Sequence, residues 1–194
     1  GHMSKTPTQA GGAEPRERLM AAARHLFVSR GASNVGINEV IAAAGVARMT
    51  LYNNFPSKDD LISAVYQDMA DLVMSDFQSF ADVKKSEEEN VIAIFDRLDG
   101  YACRADFRGC PLIHASLQMA EVTGPVYDIV KRYKKRLRDH VYGLLKESRN
   151  NRSELADQIL ILMDGAVTEE YLRGVNEPIA AAKRAASIMI RATD

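Results

Sequence analysis

Between Arg48 and Lys58 the chain crowds together side chains that donate hydrogen bonds: Arg48, Thr50, Tyr52, Asn53, Asn54 and Lys58, with Met49 among them. These types are poor at making or breaking bonds without a partnered base or a bound metal. They are good at holding nucleic acid. Guanidinium, amide and hydroxyl groups bond base edges in the DNA major groove, and an ammonium clamps a phosphate. A catalytic alternative finds no support elsewhere in the chain. There is no HExxH, no glycine-rich phosphate loop, and no Ser or Cys beside a convincing His–acid pair.

Such a display needs a scaffold, and the flanking sequence supplies one. Ile37, Val40, Ile41 and Ala44 recur at helical spacing. Gly45 ends that helix, because only glycine takes positive φ without steric cost. A second short helix follows, and Pro56 stops it. The helix is too short to hold itself, so its side chains are presented by whatever lies beneath. Leu51 and Phe55 form its inward face, and Val46 packs the turn. A helix, a glycine turn and a donor-rich helix make the sequence form of a helix-turn-helix. A further helix precedes it, from Pro15 to about Arg30, with Leu19, Ala22, Ala23, Leu26 and Phe27 on one face and Gly31 as its stop.

The composition is that of an ordinary globular chain: 194 residues, 46% hydrophobic and 26% charged, with no Trp. Net charge is −1, but residues 1–60 hold seven Lys/Arg against five Asp/Glu, while the remainder holds 18 against 21. A weakly basic head on a weakly acidic body is compatible with DNA binding. Two cysteines are too few for a secreted disulfide scaffold, and no apolar run approaches a membrane span. The expected location is the cytoplasm. Residues 1–13 are expected to be a disordered tail, and Gly1-His2-Met3 reads as a tag remnant. Residues 14–57 are the expected DNA-binding head, and 58–194 the body.

The body reads as six helices. The first runs from Lys58 to about Phe80, with Asp59 and Asp60 at its positive end. Others are expected over Glu89–Cys103, Leu112–Glu121, Val126–Ser148, Ser153–Val175 and Ile179–Ala192. Breaks fall at Asp82–Glu88, Asp106–Pro111, Thr123-Gly124-Pro125, Asn150-Asn151 and Asn176-Glu177-Pro178. No strand pattern competes. The fold class is all-α: a three-helix head and a six-helix body for ligand binding and dimerisation.

Thr50-Leu51-Tyr52-x-x-Phe55-x-x-Lys58, after an Ala-Gly-Val turn, resembles the TetR family of bacterial transcriptional regulators. The resemblance is strong over Arg16–Val65 and continues in outline through the body. It implies that Thr50 and Tyr52 touch phosphates or base edges and that Lys58 holds a backbone phosphate. Arg48 and Met49 fall in the variable opening of the recognition helix, where Arg48 can bond a guanine in a bidentate manner. Asn38 falls at a position that often reaches DNA. Two residues depart from the pattern. Gly36 stands where the family has Ser or Thr, which loses a hydroxyl cap but leaves a backbone N–H for a phosphate. Asn54 stands where His is frequent, and its amide can still donate.

Four other features bear on function. Cys103, Cys110 and His114 offer three metal ligands at an atypical spacing for zinc. A Cys103–Cys110 disulfide is geometrically possible. Two small side chains in a helix junction fit the segment better than either. The basic run Lys131–Arg138 keeps Tyr133 and Leu137 on a helical face, so its charges read as a solvated surface. The alanine-rich last helix, with Ile159, Leu162, Met163 and Ala166 on the one before, makes a candidate dimer surface, and the family resemblance implies the same pairing of these two helices. Large or polar members of the middle helices, Met69, Phe95, Tyr101, His114, Gln118 and Met163, are candidates to line an effector cavity.

The reading is a ligand-responsive DNA-binding transcriptional regulator, a repressor released from its operator by a small molecule. It needs double-stranded operator DNA, a second copy of itself and an effector of unknown identity. It needs no cofactor, metal or membrane. Two alternatives stand beside it: a TetR-like regulator switched by thiol oxidation at Cys103 and Cys110, and an all-α interaction protein or enzyme that does not bind DNA.

Overall fold

The computed structural model describes residues 13–119 and 124–192. The expected tail at residues 1–13 and the expected break at Thr123 thus lie almost wholly outside the described residues. All regular structure among those residues is helical, with no strand. They divide into two compact units at Val65/Tyr66.

The first unit opens with α1 (Pro15–Arg30), whose proline occupies the first turn, where no intrahelical N–H is needed. Leu19, Ala23 and Phe27 recur every fourth residue and are buried. Gly31, at φ 83°, turns the chain into a single 3₁₀ turn, Ala32–Asn34. Then come α2 (Ile37–Ala44), α3 (Arg48–Asn54) and the start of α4 (Lys58–Ser79). Helices α1, α2 and α3 pack pairwise on one another. Val40 and Leu51, at 1% and 0% exposure, join the α1 stripe in the core.

The unit boundary falls within α4, a 22-residue helix. Its body portion buries Tyr66, Met69, Ala70, Met74 and Phe77. The second unit continues with α5 (Glu87–Ala102), α6 (Pro111–Gln118), α7 (Pro125–Leu144), α8 (Arg152–Arg173) and α9 (Glu177–Arg191). Helices α8 and α9 pack on each other and both pack on α5, while α7 packs on α6 and α8. Ser86 caps α5, accepting a hydrogen bond from the Glu89 N–H at 3.1 Å. Gly174, at φ 68°, ends α8.

Ion pairs fasten the body. Glu87 and Arg149 are 7% and 10% exposed and approach to 2.5 Å. Glu87 also accepts the Lys146 N–H at 2.8 Å. Burial alone would raise the Glu87 carboxyl, but these bonds outweigh it and hold the group below the ordinary carboxylate value. Asp76 of α4 accepts from Arg97 at 2.6 Å and from the Tyr101 hydroxyl. The basic run of α7 is largely paired: Lys134 with Asp164 at 2.7 Å, Arg136 with Asp71 at 2.7 Å, and Arg138 with Asp157 at 2.8 Å. These charges are spent on neighbouring helices or solvent, as expected of a surface rather than a second nucleic-acid patch.

Candidate nucleic-acid interface

The site begins with a turn. Gly45 adopts φ 65°, ψ 40°, the left-handed conformation that L side chains rarely take. Its N–H reaches the Ile41 carbonyl at 3.0 Å, and the Val46 N–H reaches the same oxygen at 3.3 Å. The last carbonyls of α2 are thereby satisfied and the chain is redirected into α3.

The inward face of α3 is fixed by burial. Leu51 and Phe55 are 0% and 2% exposed. Arg16 of α1 lies over the Phe55 ring at 4.3 Å and donates to the Asn54 carbonyl at 3.2 Å. That grip on the last turn of α3 was not legible in the sequence, because nothing local links positions so far apart. A second brace was legible in principle. Glu39, three residues after Gly36, accepts the Gly36 N–H at 2.9 Å, half of a capping box. Arg30 holds the same carboxylate at 2.5 Å. The Arg30 bond, then the Gly36 N–H and the charge of Lys58, hold Glu39 below its ordinary value. This changes one expectation: the Gly36 N–H is already occupied and is not free to meet a phosphate.

The outward face is what remains. Arg48, Met49, Tyr52 and Asn53 are exposed, with Met49 at 70% and Tyr52 at 41%. Thr50 and Lys58 are half-buried beside them. Asn38 of α2 is exposed and its side-chain oxygen accepts a hydrogen bond from Arg48. Asn54 stands apart. It is half-buried, and its amide donates back to the Thr50 carbonyl at 2.8 Å, so it serves the end of its own helix. Of the eight residues expected to meet DNA, seven thus share one unit with side chains not turned into their own helix, and the eighth is turned inward.

The residues expected to line an effector cavity are not brought together. Met69, Phe95 and Met163 are core residues, at 2%, 0% and 3% exposure. Tyr101 is half-buried and bonded to Asp76. His114 and Gln118 are exposed. None of the six lines either of two hollows in the body. One, of about 490 Å³, lies among polar groups at Glu87, Arg149 and Arg191. The other, of about 370 Å³, is walled by Cys103, Phe107, Arg108, Glu170, Tyr171 and Val175. Glu170 is 7% exposed, and burial raises its carboxyl above the ordinary value.

The cysteines are free thiols, Cys103 exposed and Cys110 half-buried at the start of α6. Burial raises the Cys110 thiol, which disfavours the reactive thiolate. Among the described residues no group of three or more His, Cys, Asp or Glu can hold a metal, and no helix is long and apolar enough to cross a membrane.

The surface expected for dimerisation needs a correction. Ile159, Met163 and Ala166 of α8 are 0%, 3% and 5% exposed, so they face their own core, while the fourth expected residue, Leu162, is half-buried. The exposed stripe of α8 runs instead through Ile161, Gly165, Thr168 and Leu172, with Ile161 and Leu172 at 70% and 69%. On α9 the exposed partner is Ile188, also at 70%.

A three-helix head with a helix-turn-helix on an all-helical body defines a class of DNA-binding regulator, and comparison with known proteins agrees. Residues 19–65 match the model of the bacterial regulatory proteins of the tetR family. The transcriptional activator FasR of Mycolicibacterium smegmatis is 30% identical over 131 residues, 61% of this chain and 60% of its own length. The transcriptional repressor BepR of Brucella suis is 28% identical over 184 residues, 86% of this chain and 85% of its own. The crystal structure of SCO4454, a TetR-family regulator from Streptomyces coelicolor, superposes with a TM-score of 0.80 at 24% identity, covering 92% of this chain and 96% of that one. That last likeness is one of fold. The matches to the first three curated relatives span 43%, 60% and 39% of those proteins. Residues 19–65 thus match the head of the tetR-family bacterial regulatory proteins, and the all-helical body has the fold of solved regulators of that family.

Proposed function

We propose that the protein is a cytoplasmic, homodimeric repressor that binds operator DNA through α3 and is released by a small molecule held in the body. The observation that carries the reading is the asymmetry of α3. Its apolar members are fully buried, while Arg48, Met49, Tyr52 and Asn53 stand outward. Donors and one exposed apolar side chain are what base edges and thymine methyls require. Lys58, at the first turn of α4, supplies the cation that holds a phosphate in this reading.

Two recognition helices must enter successive major grooves roughly 34–36 Å apart. That requirement makes dimerisation part of the function. The exposed stripe Ile161–Gly165–Thr168–Leu172, with Ile188 of α9, supports a pairing of α8 and α9 with their symmetry mates. Small residues there let backbones approach, and the flanking apolar side chains gain by leaving water. The hollow of about 370 Å³ beside Phe107 and Tyr171 supports an effector seat in the body, since ligand pockets start at roughly 300 Å³. An effector shifts operator binding only by its different affinity for two states of the protein. BepR, a repressor aligned over most of both chains, supports the sign of regulation; FasR, an activator, is the competing precedent.

Gel-shift titration against the chain's own upstream region is the test. Binding must weaken with salt at a log–log slope of about −0.9 per neutralised phosphate. Tyr52→Ala and Lys58→Ala must weaken it further. Retention of wild-type affinity by both variants overturns the assignment of α3. A regulator that raises transcription from its bound site overturns the repressor reading.

A further inference from the structure

Arg48 carries the sequence choice in the reading above, and the inference here rests on that reading. Its setting adds something that neither the motif nor the family match assigns. Arg48 is the first residue of α3, and Asn38 is the second residue of α2, on the other side of the glycine turn. A guanidinium N–H of Arg48 donates to the Asn38 side-chain oxygen. Both residues are exposed, and among the described residues neither makes another side-chain hydrogen bond or ion pair. The pair therefore has no structural duty inside the core, and it meets whatever approaches this face.

The chemistry of the pair divides the labour. A free arginine loses about 2 kcal/mol of rotamer entropy when it is fixed. With one N–H already anchored, part of that loss is incurred before DNA arrives, and the remaining donors of the guanidinium stay available. Asparagine usually reads adenine by using its oxygen and its NH₂ together. Here the oxygen already accepts from Arg48, so a bidentate adenine contact would have to share that acceptor with the guanidinium. We propose that Asn38 is a positioning residue that acts through Arg48, holding its guanidinium for guanine at one base pair of each half-site rather than reading a base itself.

Selection from a randomised double-stranded DNA pool by the full-length protein, at fixed salt, tests this. Arg48→Ala is expected to lose its guanine preference at a single base pair by about 5- to 150-fold, the worth of one bidentate contact. Asn38→Ala is expected to lose about tenfold at that same base pair and little elsewhere, and the double variant to be no worse than Arg48→Ala, as coupled sites behave. Asn38→Asp keeps an acceptor for the guanidinium. It should preserve the guanine preference while weakening binding to every sequence, because the new charge repels phosphates. Thermal melts of the variants should match wild type, both side chains being exposed. An Asn38→Ala variant that keeps the wild-type guanine preference, or that weakens all sequences equally, overturns the positioning role while leaving DNA binding intact. A wild-type protein that enriches no motif overturns the DNA reading itself, and this inference with it.

Discussion

The head and the body use the same charged residue types in opposite ways. In the body, Glu87 meets Arg149 in the interior, Asp76 gathers Arg97 and Tyr101, and Lys134, Arg136 and Arg138 of the α7 basic run are paired with acids of α4 and α8. In the head, α3 turns Met49, Tyr52 and Asn53 outward with no hydrogen bond or ion pair among the described residues, and Arg48 meets only an equally exposed amide. The count of basic residues thus says little about where DNA binds. A positive charge that has already found a carboxylate has less to offer a phosphate. The most basic run of the chain has half of its cations held by acids of neighbouring helices, while a nearly neutral helix keeps its polar side chains outward.

The largest effect expected of this contrast is in the body. Glu87→Ala removes the carboxylate that faces the buried Arg149 guanidinium and should cost about 3–5 kcal/mol in urea unfolding. Replacing both Glu87 and Arg149 by methionine should restore most of that loss, since two desolvation penalties disappear together. A double variant as unstable as the single one would show that the pair's geometry, not its charge balance, holds the helices.

Acid should find the same place. Glu87 and Asp76 both titrate below the ordinary carboxylate value in the folded protein. Groups with depressed folded values lend stability that is fully present above their unfolded values and is lost as pH falls through the folded ones. Thermal midpoints should therefore be level near neutrality and drop through the acid range. Glu87→Gln should start lower and flatten the drop; an unchanged acid profile would remove Glu87 as its source.

Effects in the head should appear in binding and not in folding. Lys58→Ala should reduce the salt slope of operator binding by about 1 and weaken all sequences alike. Its melting temperature should stay near wild type. A variant that melts early but binds with an unchanged slope would make Lys58 a folding residue. The smallest effect is expected at the body's exposed rim. Lys135 and Asp139, at 78% and 56% exposure, form an i,i+4 pair. Lys135→Ala should change stability by no more than about 0.5 kcal/mol. A larger loss would blur the distinction between buried and exposed pairs drawn here.

Much of this was legible in the residue order, for local reasons. Pro15, Gly31 and Gly45 mark helix ends by backbone sterics alone, and the observed boundaries fall within a few residues of those expected. The display on α3 was legible because a short helix with two buried residues leaves its other positions outward. The cavity residues were not. Met69, Phe95 and Met163 have the composition of a pocket lining and of a packed core alike, and here they are core. Three residues expected on a dimer surface, Ile159, Met163 and Ala166, are core for a related reason. Helix α8 is apolar on two sides, Ile159 and Met163 on one, Ile161 and Leu172 on the other. Periodicity shows that apolar faces exist, and only the neighbours α5, α7 and α9 decide which is covered.

By itself, then, the sequence determined that the chain is helical, where its helices stop, and that a donor-rich helix follows a glycine turn. Each of these depends on interactions within a few residues. The tertiary structure alone decided which polar groups remain free. It seated Arg16 on Phe55 and joined Asn38 to Arg48. Those pairings depend on distances between residues far apart in the chain, and a hydrogen bond exists only where folding closes that distance.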